Sequence, residues 1–91
     1  MSPLAIVCML GRLCTECGRL SVERHGSWTA AWMVGGRIYA HATATSPDAA
    51  IEALSADMIE AADREAAAYQ EQGTPDCLEV AEAIRLALAS A

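Results

Sequence analysis

The stretch from Arg19 to Glu71 constrains this chain most, because its glycines and helix-start residues fall where two tight hairpins and a long helix need them. Arg19 to Arg24 alternates Leu20 and Val22 with Ser21 and Glu23, the period of a half-buried strand. His25-Gly26 then supplies a turn, Ser27 to Val34 a second strand, Gly35-Gly36 another turn, and Arg37 to Ala44 a third strand. Hairpin turns of the primed types need positive φ, which glycine adopts without a steric cost. Ser46 suits an N-cap, Pro47 the first helical position, and Asp48 the positive end of the helix dipole, so a helix is expected from Pro47 to about Gln72.

Gly73 ends that helix, Thr74-Pro75-Asp76 repeats the same start, and a second helix is expected from Pro75 to about Ala89. Ahead of the hairpins, Leu4 to Leu10 (LAIVCML) is a short apolar run between Pro3 and Gly11, a length that fits a strand buried on both faces. Gly11 to Gly18, which holds Cys14 and Cys17, reads as a loop. The expected order is β-β-β-β-α-α. It describes an α+β domain over residues 1–91, in which an antiparallel sheet of three to four strands packs one face on two C-terminal helices.

Two registers compete. With two-residue loops at both turns, Leu20, Val22, Ala31, Met33, Ile38 and Ala40 share one face, leaving Trp28, Trp32, Tyr39 and His41 together on the other. With three-residue, bulged loops the parity flips, and Trp28 and Trp32 join Leu20, Val22, Ile38, Ala40 and Ala42. The second places large residues opposite small ones, which favours buried tryptophans.

A chain of 91 residues has room for one core and little more. Alanine supplies much of its 54% hydrophobic content and phenylalanine is absent, so Ile, Leu, Met, Val and the two Trp carry most of the burial. A formal net charge of -6, with only six cationic side chains, argues against nucleic acid as the direct ligand and points to a protein partner with a basic surface. No run has the roughly 18–20 apolar residues of a membrane helix, and no basic residue precedes Leu4 to Leu10 as in a signal peptide. The expected compartment is the cytoplasm, where Cys8, Cys14, Cys17 and Cys77 stay reduced.

On the first expected helix, Ile51, Leu54, Met58, Ala62, Ala66 and Tyr69 recur at three- and four-residue intervals as an apolar stripe, with Glu52, Asp57, Glu60, Asp63 and Glu71 opposite. The second turns Cys77, Val80, Ala81, Ile84 and Leu88 inward and Glu79 and Glu82 outward. The ordinary explanation of these acids is a solvated helix face. The functional one is a negative surface, with Asp57, Glu60, Asp63, Glu71, Glu79 and Glu82 as its contact set, that docks on a basic groove. Leu86 falls on the same outward side and suits a contact point or a homodimer interface.

Cys14-Thr15-Glu16-Cys17-Gly18 resembles half of a zinc knuckle. The remaining ligands would come from Cys8, His25, His41 or Cys77, none of which forms a second close pair. A thioredoxin-like centre would start a helix after its Cys-x-x-Cys, whereas strands are expected on both sides here. No Ser, Cys or carboxylate stands at a spacing from His25 or His41 that implies a nucleophile with its base. An exposed Trp28, Trp32, Tyr39 and His41 face would be a stacking platform for single-stranded nucleic acid, a role the acidic balance opposes.

The segment LSVERHGSWTAAWMVGGRIYAHATATSPDAAIEAL, residues 20 to 54, resembles the hairpin-then-helix unit of several small phage proteins, including anti-CRISPR proteins. It is also similar to HicB-like antitoxins, with their glycine-aromatic strand, hairpin and helix starting near Ser or Thr. The first likeness implies a stoichiometric inhibitor of a CRISPR effector, the second a subunit that neutralises a basic toxin. Anti-CRISPR families share no common motif, so no residue role transfers. The combined expectation is a cytoplasmic, non-catalytic, cofactor-free binding protein. A small zinc protein held through Cys14 and Cys17 is the alternative of a different class.

Overall fold

A computed structural model describes all of residues 1–91, folded as α1 (Pro3–Cys14), β1 (Gly18–His25), β2 (Ser27–Val34), β3 (Arg37–Ala44), α2 (Pro47–Gln72) and α3 (Pro75–Ala89). The α+β class, the three hairpin strands and the two C-terminal helices match expectation. The fourth strand does not form: Leu4 to Leu10 lies within α1, which also takes up the first part of the expected Gly11 to Gly18 loop.

The cause lies at Ser2-Pro3. Ser2 Oγ accepts from the Ala5 backbone N–H at 3.2 Å, and Pro3 occupies the first turn, where its missing N–H costs nothing. α2 and α3 start in the same way, with Ser46 accepting from Ala49 and Thr74 from Cys77. Ile6, Val7, Leu10 and Gly11 form the buried stripe of α1, while Leu4 and Leu13 remain exposed on its outer side. Apolar residues on both sides conceal the helical period.

The sheet has the order β1-β2-β3, all antiparallel. The first hairpin pairs Val22 with Ala30 and Leu20 with Trp32, the parity of a three-residue loop around Gly26. The second pairs Val34 with Arg37 and Met33 with Ile38 across the two-residue turn Gly35-Gly36, whose φ values of 57 and 78° suit a primed turn. Trp32 then pairs with Ala40, so Tyr39 is the extra residue of a β-bulge.

That bulge brings Ala40, Ala42 and Ala44 onto the same face as Leu20, Val22, Trp28, Ala30 and Trp32, against the helices. Ile38 was expected there, but it precedes the bulge and stands 58% exposed. The exposed tryptophan platform does not form either. Trp32 is buried at 2% exposure, and Trp28 is half-buried with the Arg24 guanidinium 5.9 Å from its ring centroid.

α2 lays Leu54, Met58, Ala62 and Ala66 on this face, and α1 adds Ile6, Val7 and Leu10. Each fully buried large side chain, such as Leu54, contributes about 1.5–3 kcal/mol. α3 packs on α2 through Ala81 and Ile84, whereas Val80, expected inward, is 40% exposed. The Trp32 ring lies across Gly11 of α1 and Gly18 of β1, where a Cβ on either glycine would overlap it. Alanines line both sides of the helix–sheet seam: Ala30, Ala40, Ala42 and Ala44 on the sheet, Ala50, Ala62 and Ala66 on α2. The molecule measures 46 × 26 × 17 Å.

Candidate functional site

α2 and α3 form a helical hairpin closed by Gly73, whose φ of 71° is the left-handed conformation that ends a helix. Contacts run in opposite senses along the two helices. Cys77 Sγ meets Gln72 at 3.1 Å, while Arg85, further along α3, reaches back to Gln70 at 3.2 Å and Asp63 at 3.4 Å. With the apolar stripe of α2 turned to the sheet, Asp57, Glu60, Asp63 and Glu71 are exposed, as are Glu79 and Glu82 on α3. Asp57 and Glu71 are about 21 Å apart along the helix axis.

Local arginines neutralise part of this surface. Glu60 pairs with Arg64 at 3.4 Å, one turn along α2, and Asp63 with Arg85 across the hairpin. Asp57, Glu71, Glu79 and Glu82 make no ion pair. Charge is divided unevenly along the chain. Residues 46–91 carry ten carboxylates against Arg64 and Arg85, a net of −8, while Arg12, Arg19, Arg24 and Arg37 against Glu16 and Glu23 leave residues 1–45 at +2. The helical hairpin is therefore the negative half of an electrically divided molecule.

The cysteines do not converge. Cys14 ends α1 and is half-buried, Cys17 is exposed in the loop before β1, and Cys8 and Cys77 lie on different helices. No three His, Cys, Asp or Glu side chains come together in an arrangement that would hold a metal ion. His25 pairs with Glu23 at 3.0 Å on the exposed rim of the first hairpin, and His41 stands exposed on β3, opposite Ala31. No helix is long and apolar enough to cross a membrane.

One cluster has no signal in the sequence. The Tyr39 hydroxyl donates to Glu65 Oε2 at 3.1 Å, and Cys14 faces the same carboxylate. Burial, reinforced by the Glu65 charge, pushes the Cys14 thiol up to about 11 and raises the Tyr39 phenol above its ordinary range. Both groups hold their protons at neutral pH, so the cluster joins α1, β3 and α2 without supplying a nucleophile. None of the surface grooves is lined by these three residues.

No family model, no curated protein and no solved structure matches the chain.

Proposed function

We propose that this chain is a small acidic, non-catalytic binding protein that docks the carboxylate face of its helical hairpin on a basic, nucleic-acid-binding surface of a protein complex. The biological class it fits best is a phage-type, anti-CRISPR-like inhibitor, with a CRISPR effector complex as partner. The observation that supports this reading is the net −8 of residues 46–91, carried on two capped helices that fix where the carboxylates stand. Asp57, Glu71, Glu79 and Glu82 present unshared charge, and Glu60 and Asp63 join them by exchanging a local arginine for one on the partner. Exposed ion pairs contribute about 0.2–1 kcal/mol each, so such a face governs encounter rate and selectivity more than affinity.

The test is titration of the labelled chain against an effector complex, with the triple variant Asp57→Lys, Glu71→Lys, Glu79→Lys alongside. Wild type should compete with target DNA, and the variant should lose binding while its circular dichroism stays unchanged. Equal binding of both at physiological salt overturns the reading.

A HicB-like antitoxin is the second reading, favoured by the β2–β3 hairpin that runs straight into the Ser46-capped α2. Co-purification with a small cationic protein rather than with an effector complex would select it.

A further inference from the structure

We propose that the groove between α1 and α3 is the seat of a second copy of this chain, anchored by Leu86. The groove is a shallow, open depression of about 690 Å³, lined chiefly by Met9, Arg12, Leu13, Ala83, Leu86 and Ala87. Leu86 is 72% exposed, more than any other large hydrophobic residue of the chain, and Leu13 beside it is 40% exposed. An apolar strip of this kind is accounted for by whatever covers it.

Charge identifies the cover. Arg12 lies in the groove and makes no ion pair. Glu82 and Glu79, four and seven residues before Leu86 on the outward side of α3, make none either. The groove brings Arg12 against the C-terminal half of α3, where Leu86 and Ser90 also line it. Two α3 helices that cross antiparallel at Leu86 about a twofold axis set Glu82 of each copy opposite Ser90 of the other, and so toward its Arg12. The patch is its own complement, as a twofold interface requires.

Area gives a second, independent argument. The chain exposes 5692 Å², against about 5,100 Å² for a compact monomer of its 9.6 kDa mass. Its radius of gyration is 13.6 Å, where about 12.2 Å is usual for this length. The surplus of about 600 Å² is close to the roughly 800 Å² that each partner gives to a standard interface. Pairing through α1 and α3 brings the exposure near that of an ordinary small protein. It draws Glu82 to the rim of the self-contact and leaves Asp57, Glu71 and Glu79 free for a basic partner.

The test is mass by light scattering across a concentration series of the full chain, with no partner present, so its outcome is separate from that of the inhibitor reading. Wild type should run at twice the 9.6 kDa chain mass. Leu86→Glu should give a monomer with unchanged circular dichroism. Arg12→Glu should lose the dimer, and Arg12→Glu with Glu82→Arg should restore it. A wild type that stays monomeric at every concentration overturns the proposal, whether or not the groove takes up an apolar dye instead. So does a dimer indifferent to both Leu86→Glu and Arg12→Glu, or a charge swap without recovery.

Discussion

The indole Nε1–H of Trp32 donates to Thr15 Oγ1 at 3.0 Å, and the Thr15 hydroxyl in turn donates to the Gly11 carbonyl. The middle strand is thereby tied to the residue that caps the C-terminus of α1, and the largest side chain of the core has its one polar atom satisfied. This link adds to the burial of Ile6, Val7 and Leu10 in holding α1, which forms one wall of the α1–α3 groove.

Gly11→Ala and Gly18→Ala should each destabilise the fold by about 1–3 kcal/mol, because the new methyl overlaps the Trp32 ring. Neither glycine has positive φ, so the loss is steric. Urea unfolding of a double-mutant cycle with Trp32→Leu checks this: the alanine substitutions should cost far less once the indole is gone.

Thr15→Val keeps the side-chain shape and removes the acceptor of the indole N–H. It should lower stability by about 1–3 kcal/mol, the cost of a buried donor without a partner, whereas Thr15→Ser should stay near wild type. Denaturant midpoints of the two variants separate hydrogen bonding from packing.

Cys14 and Cys17 should differ as nucleophiles. The thiolate is the reactive form, and Cys14 is half-buried with its thiol pushed up to about 11, while Cys17 is exposed. Mass spectrometry after brief alkylation at mildly alkaline pH should find the label on Cys17 first, and Cys14 modified at the rate of local opening.

Stability should hold as pH rises to about 9, the ordinary value for the thiol, and then fall. Between that pH and about 11 the unfolded chain loses the Cys14 proton and the folded chain retains it, so each step upward favours unfolding. Tyr39, raised in the same direction by burial and Glu65, adds to the decline from its own ordinary value of 10.0 upward. Thermal melts across this range should show a shallower fall for Cys14→Ala.

The hairpins and both C-terminal helices were legible because their signals are local. Gly26, Gly35 and Gly36 mark turns that need positive φ, and Ser46-Pro47 and Thr74-Pro75 mark helix starts. Ser2-Pro3 is the same start a third time, but the run behind it lacks polar residues on its solvent side, so length alone favoured a strand. The inner-face position of Trp32 was legible from large-against-small pairing. The bulge at Tyr39 was not, because the glycine pair fits a two-residue turn and only packing demands the extra residue. Helical period placed all six carboxylates of the contact set on the exposed side. The Arg85 bridge to Asp63 and the meeting of Cys14, Tyr39 and Glu65 depend on how separate elements pack, which no local spacing encodes.

Part of the seam where α2 meets the sheet is lined by methyl groups on both sides. Such a joint has nothing left to trim short of glycine, so side-chain change there runs toward enlargement, and any added carbon wedges helix and strands apart. At those positions overpacking, not cavity formation, is the cost of change.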